Sequence, residues 1–311
     1  MTDIQLFRLS NGVATELSSQ TAKLERDLQI LIEANMATCL GVRFLAREHP
    51  TGKTHRGRID SLGLDENGCP VIIEYKRHST ENVINQGLFY LDWLMDHQAE
   101  FRWLVMEKLG KEAAGQIEWT GTRLLCIAAD FTRYDEHAVQ QIPRNIELLR
   151  YKLFSNDLLL LELVNAQSVP DATSVKTIAP ENGPAVPQPK VATGKDKSVE
   201  EWLSAGSTEF RELYDQIVSY LNSLGDDVQE KRLKLYTAFR RLKNFACIVV
   251  YANRFLVMLK IDPATVTLEE GFSRDVTHIG HWGSGDLEVT IRTLDDLERA
   301  KPLFERSYSE S

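Results

Sequence analysis

The sequence predicts an α/β fold: a mixed sheet flanked by helices, followed by a smaller α+β domain. Three observations carry this. The 311 residues are 43% hydrophobic and 26% charged, an ordinary globular balance, and the length fits about two domains. Five of the ten prolines (Pro170, Pro180, Pro184, Pro187, Pro189) fall in one stretch without helical or alternating pattern. Proline fixes φ and has no N–H to donate, so such a stretch reads as a semi-extended linker. On either side of it, segments of helical and of strand periodicity follow one another. The expected division is a first domain over 1–167, a linker over 168–198 and a second domain over 199–311.

In the first domain Leu24, Leu28, Leu31 and Ile32 recur at helical spacing and predict a helix over 21–35. Strands follow at 56–64 and 71–77, separated by Glu66-Asn67-Gly68, a hairpin-turn signal. A helix over 80–97 takes Thr80 as its N-cap, and a third covers 101–113. Strands are expected at 123–129, 147–153 and 158–164. The order α-β-β-α-α-β-β-β gives a mixed sheet covered by helices. The second domain opens with helices at 199–203, 208–224 and 228–242. A hairpin over 246–261 follows, then a glycine-rich turn at 280–286, a strand at 287–291 and a last helix over 294–308.

Charge and cysteine usage exclude several classes. With 36 Lys and Arg against 45 Asp and Glu the net charge is −9, which excludes a strongly cationic coat but leaves room for a local basic patch. Cys39, Cys69, Cys126 and Cys247 are scattered and form no CxxC pair, so neither a disulfide framework nor a structural zinc site is expected. The N-terminus has no apolar signal core. The longest apolar stretches, 158–164 and 245–261, are too short or are interrupted by Asn253 and Arg254, so no membrane span is expected. A cytoplasmic protein follows.

The informative stretch runs from Arg58-Ile59-Asp60 to Val71-Ile72-Ile73-Glu74-Tyr75-Lys76. Residues two apart on a strand share a face, so Glu74 and Lys76 point with Ile72, and that face turns from apolar to charged at its end. Whether Asp60 joins them depends on the turn. A two-residue Asn67-Gly68 turn would place Ser61 opposite Glu74 and Asp60 on the wrong face. A three-residue loop with Gly68 left-handed, or a bulge at Gly63, would place Asp60 opposite Glu74. Two carboxylates about 4 Å apart repel by roughly 4 kcal/mol at an effective dielectric near 20, so such a pair holds a proton or a cation. Glu25, at the edge of the first helix's apolar stripe, is a candidate third acid, although a solvated helix face would also explain it. Carboxylate oxygens with no His or Cys favour Mg²⁺ or Mn²⁺.

A helical Glu, then Asp60, then Glu74-x-Lys76 after a short hairpin resembles the PD-(D/E)xK nuclease superfamily. The following Gln86-Gly87-Leu88-Phe89-Tyr90 resembles the Q-h-x-x-Y motif of its RecB-like branch, and the way the acid-bearing helix leads into the hairpin is similar to NucS-like nucleases. Ile59 stands where the name-giving proline would be. The resemblance covers roughly residues 20–165 and implies a restriction-endonuclease-like fold and a metal-dependent nuclease acting on nucleic acid, DNA more than RNA. It implies Asp60 and Glu74 as metal ligands, the Tyr75 carbonyl as a further ligand, and Glu25 completing the site. Lys76 would orient or deprotonate the attacking water. Gln86 and Tyr90, one helical turn apart, would reach the nucleotide or a metal-bound water, unless Tyr90 is a core aromatic beside Trp93. The alternative is a non-catalytic module of the same fold that binds nucleic acid or protein.

Around the site, Arg43, Arg47, Lys53, Arg56 and Arg58 face a single acid, Glu48, and with Arg77 they form a candidate phosphate-contacting edge. A solvated loop explains the segment equally. In the second domain His278 and His281 lack a matching second pair for zinc. The 280–286 turn lacks the Lys-Ser/Thr of a P-loop and reads as structural. That half resembles a domain of unknown function that accompanies nuclease-like domains. A homodimer, and a protein partner for the second domain, complete the expectations.

Overall fold

The computed structural model describes residues 4–52, 56–77, 83–155, 157–167 and 197–311. Expectations placed on Lys53, on Thr80 as a cap and on most of the linker lie outside them. The chain divides into two compact units, Met1–Ser168 and Val169–Ser311.

The first unit begins with a separate two-stranded ribbon, β1 (Leu6–Ser10) and β2 (Val13–Leu17), and then the short β3 (Ser19–Gln20). Helix α1 (Glu25–Ala34) buries Leu28 and Ile32 at i, i+4, as its spacing predicts. Helix α2 (Met36–Leu40) stops at Gly41, whose φ of 63° is left-handed. The sheet continues with β4 (Val42–Pro50), β5 (Arg58–Asp65) and β6 (Pro70–Lys76). Helix α3 (Val83–Asp96) falls within the expected 80–97, and α4 (Gln98–Leu109) and α5 (Lys111–Gly115) follow where one helix over 101–113 was expected. Gly110, at φ 91°, breaks it in two. The unit closes with β7 (Arg123–Ala128), α6 (Arg133–Gln140), β8 (Asn145–Phe154) and β9 (Leu158–Gln167).

Seven strands form one mixed sheet, in the order β3-β8-β7-β6-β5-β4 with β9 also on β8. The β6–β7 and β7–β8 pairs are parallel, the others antiparallel. Ser61 on β5 bonds Glu33 of α1, which places α1 over the face of Ser61, Ile73 and Tyr75. Gly87 of α3 lies against Leu124 of β7, which pairs with Ile72, so α3 covers the other face. The segment 43–50, expected as a basic edge or loop, is the edge strand β4, paired to β5 through a bulge between Phe44 and Ala46. Its exposed arginines and buried Val42 and Leu45 hide a strand in a sequence that looks like a solvated loop.

The second unit is built from α7 (Val199–Ala205), α8 (Thr208–Asn222), β10 (Gln229–Arg232), β11 (Tyr236–Arg240), β12 (Asn244–Tyr251), β13 (Arg254–Leu259), β14 (Ser273–Asp275), β15 (Leu287–Ile291) and α9 (Leu294–Glu310). Its six strands are antiparallel in the order β10-β11-β12-β13-β15-β14. A core of Tyr214, Ile217, Phe245, Phe255, Val257 and Phe304 lies between sheet and helices. The expected helix over 228–242 is instead the hairpin β10–β11. Every residue of β11 is buried, so the alternation that marks a half-exposed strand is missing and helical spacing arises by chance.

Candidate active site

The site forms where β5 and β6 meet beyond their last ladder pairs. Ser61 pairs with Ile73 and Leu64 with Pro70, so Asp65 faces Cys69 and Asp60 faces Glu74. The register follows from the loop. Glu66, Asn67 and Gly68 form a three-residue connection with Gly68 at φ 74°. Asp65 N donates to the Cys69 carbonyl at 2.9 Å, and the Asp65 carboxylate accepts from the N–H groups of Asn67 and Cys69 at 2.9 and 2.8 Å. An aspartate that satisfies its own turn in this way fixes the loop length, and the loop length fixes which acid faces Glu74. Of the two routes open to Asp60, the three-residue loop is the one used.

The two carboxylates are interlocked with each other's backbone. Asp60 N donates to Glu74 Oε1 at 3.2 Å, and Tyr75 N donates to Asp60 Oδ2 at 3.0 Å. Glu74 is fully buried, with Cys126 beside it in register on β7, and its Oε2 has no hydrogen-bond partner. Burial, then the neighbouring Asp60, pushes the Glu74 carboxyl up to about 9. Burial likewise pushes Asp60 up to about 6, against the opposing pull of the Tyr75 N–H and of Lys76. A buried acid facing a second acid, with one oxygen unsatisfied, is the pattern that desolvation and like charge produce together.

Glu25, the first residue of α1, does not join the pair. Its Oε1 accepts from Lys76 Nζ at 3.1 Å and its Oε2 from Arg77 N at 3.3 Å. The Glu25 carboxylate is thus engaged by the Lys76 ammonium and by the Arg77 N–H. Among the described residues no group of three or more His, Cys, Asp or Glu gathers as a metal site. Lys76 lies at the end of the charged face, mostly covered.

Tyr90 takes the second of the positions open to it, a core aromatic in one cluster with Trp93. It is buried in the core, and its hydroxyl accepts from Arg58 N at 3.3 Å while Gly57 packs against its ring. A side chain at Gly57 would strike that ring, so glycine is required for the close approach. Gln86, half-buried one turn earlier, makes no hydrogen bond to Asp60 or Glu74. Of the basic candidates, Arg43, Arg56 and Arg58 are exposed and Arg77 is half-buried. Arg47 is bound to Glu33, which holds its guanidinium above its ordinary value.

Glu33 and Gln29 were not foreseen as part of the site. Gln29 Nε2 donates to the Asp60 carbonyl at 2.7 Å and to Glu33 Oε1 at 3.0 Å, and Ser61 Oγ donates to Glu33 Oε1 at 2.6 Å. The pair thus props the backbone that carries Asp60. The signal was present: Gln29 and Glu33 stand at i, i+4 beside Leu28 and Ile32, on the stripe that must be buried.

Comparison with known proteins adds the following. Residues 199–311 match the model of a domain of unknown function, DUF5655. An uncharacterized protein of Haemophilus influenzae is 27% identical over 99% of this chain and 100% of its own length. A repair endonuclease from Pyrococcus abyssi is similar in structure over 42% of this chain and 48% of that chain, at 20% identity and a TM-score of 0.28. A chain of an EndoMS–dsDNA complex is similar over 40% and 44%, at 21% identity and a TM-score of 0.25. Both structural likenesses are slight and span less than half of the solved chains. No helix among the described residues is long and apolar enough to cross a membrane.

Proposed function

We propose that the first unit is a metal-dependent nuclease that hydrolyses phosphodiester bonds of nucleic acid, DNA in preference to RNA. The observation that carries this is the half-buried Asp60 facing the buried Glu74, with its unpartnered Glu74 Oε2. Both acids are pushed above the usual carboxylate range, first by burial and despite Lys76, so two hard oxygens converge where a further positive charge would be favoured. Mg²⁺ or Mn²⁺ suits that donor set better than zinc. Asp60 and Glu74 would hold it, with the Tyr75 carbonyl as a further ligand. Bound there, the ion lowers the pKa of water and stabilises charge building on the phosphate.

The chain's own residues do the rest. Lys76 Nζ, oriented by Glu25 Oε1 at 3.1 Å, presents its N–H groups at the end of the charged face, where they orient the attacking water and offset a phosphate oxygen. Gln29 holds the Asp60 carbonyl and so fixes the acid's backbone. The exposed Arg43 and Arg58 flank the strand that leads to Asp60 and supply phosphate contacts that position the substrate.

The test is incubation of the full chain with labelled single-stranded, duplex and branched DNA and with RNA, in Mg²⁺, Mn²⁺ or EDTA. Cleavage that needs a divalent ion and disappears in Glu74→Gln is expected. Cleavage undiminished in that variant, or none on any substrate with either ion, overturns the reading.

A further inference from the structure

The sheet of the second unit carries a row of cationic and aromatic side chains that its own fold does not use. Tyr251 of β12 pairs with Arg254 of β13. Phe255 pairs with Ile291, so one step on, Arg254 stands opposite Arg292, just past the end of β15. Tyr251, Arg254 and Arg292 therefore share one face across three adjacent strands, and all three are exposed. Strands in a sheet lie about 4.8 Å apart, which makes the two arginines neighbours across the ladder. Like charges directly opposite on an antiparallel pair are destabilising, and among the described residues no carboxylate pairs with the side chain of either arginine.

The surroundings hold these groups in place without neutralising them. Arg292 Nη1 donates to the Gly271 carbonyl at 2.9 Å. The Arg254 guanidinium lies 5.5 Å from the centre of the Tyr251 ring. The third arginine at the site, Arg274 of β14, is bonded twice to Glu288, at 2.6 and 2.8 Å, so Glu288 is already engaged. Between them lies a cleft of about 220 Å³ lined by Arg254, Arg274, Arg292 and Thr290, with Glu288, held by Arg274, and the apolar Leu256 and Phe272 also in its wall. It is smaller than the roughly 300–1,000 Å³ of an ordinary small-molecule pocket and suits a single anionic group.

We infer that this row binds single-stranded nucleic acid, with backbone phosphates on Arg254 and Arg292 and a base stacked on Tyr251. Two unneutralised guanidinium groups recognise phosphate. An exposed aromatic beside them is what distinguishes a strand of bases from a simple anion, since every base offers a π-face to stack. The inference rests on the reading that this chain acts on nucleic acid, and it gives the second unit the task of holding a strand.

The experiment is fluorescence anisotropy of the full chain with a labelled oligothymidylate of about twenty nucleotides, in EDTA, across a potassium chloride series. The double variant Arg254→Ala/Arg292→Ala is expected to bind about tenfold more weakly. Each single-strand phosphate contact contributes about 0.7 to the salt slope, so the slope should fall by about 1.4. Arg254→Lys/Arg292→Lys should restore the slope, and Tyr251→Ala should weaken binding with the slope unchanged. All these side chains are exposed, so each variant should stay folded, with a single cooperative melting transition. Wild-type binding by the double alanine variant, or no binding by the wild type, overturns the inference. So does a polyglutamate peptide that binds through the same arginines while the oligonucleotide is indifferent to them. Arginine-dependent binding without cleavage in Mg²⁺ would leave this inference standing and overturn the nuclease reading.

Discussion

The hairpin of β5 and β6 has a cluster of buried charges at each end, and the two are built on opposite principles. At the turn end, Arg123 is 3% exposed and lies between Asp65 and Glu147, donating to both Glu147 oxygens at 3.1 and 2.8 Å. Asp65 further accepts two backbone N–H groups. Every acid there meets a cation or a donor. At the open end, about five residues or roughly 17 Å along the strands, Asp60 faces Glu74 with no cation between them and one carboxylate oxygen unsatisfied. At the turn end the one orphan atom is a donor, Arg123 Nε, on a cation placed between acids; at the open end it is a carboxylate oxygen where acid meets acid, and that contrast points to selection for something other than stability there.

The largest test of that contrast is Glu74→Gln. It removes the acid most strongly disfavoured by burial while keeping its shape. Cleavage should fall by more than about a hundredfold, beyond the effect typical of groups that only support a metal ligand. The metal-free variant should melt no lower than the wild type. Arg123→Ala should do the reverse. It strands Glu147 and Asp65 without their cation and should cost about 3–5 kcal/mol, read by chemical denaturation, while the rate per folded molecule holds. If Glu74→Gln unfolds the protein or Arg123→Ala abolishes cleavage in folded protein, the two ends do not differ as described.

Proton linkage sharpens the comparison. Asp60 at about 6 and Glu74 at about 9 in the fold both exceed the value of about 4 that carboxyls have in an unfolded chain. The folded state therefore keeps protons that the unfolded state releases. Metal-free stability should fall as pH rises from about 4 to about 9. Glu74→Gln should flatten most of that decline. Mg²⁺ should raise the melting temperature more at the alkaline end, where the pair is most in need of a cation. Melting curves that are flat with pH in the wild type would show that the pair is not the acid couple its surroundings imply.

How much of this could be read from the sequence depends on how local the cause is. The Asp60–Glu74 register turns on a loop of three residues, and Asp65 and Gly68 announce its chemistry, so the motif and its geometry were both legible. The bond of Glu25 to Lys76 was not legible because the two are 51 positions apart; helix-face spacing shows that an acid is near the sheet, not which cation it meets. Strand β4 was hidden by the exposed Arg43 and Arg47, which the bulge between Phe44 and Ala46 puts out of strict alternation, and β11 by having no exposed side at all. In each case the deciding contact was tertiary, and periodicity averages over such contacts.

Tyr90 is the smallest and most discriminating case. If its hydroxyl contacts nucleic acid or the attacking water, Tyr90→Phe should lower kcat/KM by tens-fold. The structure instead gives the hydroxyl to the N–H of Arg58, two residues before Asp60. A single hydrogen bond of this kind is worth about 1 kcal/mol, and the ring remains to fill the space against Gly57. Tyr90→Phe should therefore lose about 1 kcal/mol of stability and keep kcat within about twofold. Any loss should appear as a weaker response to Mg²⁺, because the start of β5 carries Asp60. A tens-fold fall in kcat at saturating metal would return Tyr90 to the reacting groups and take the base of β5 out of the argument.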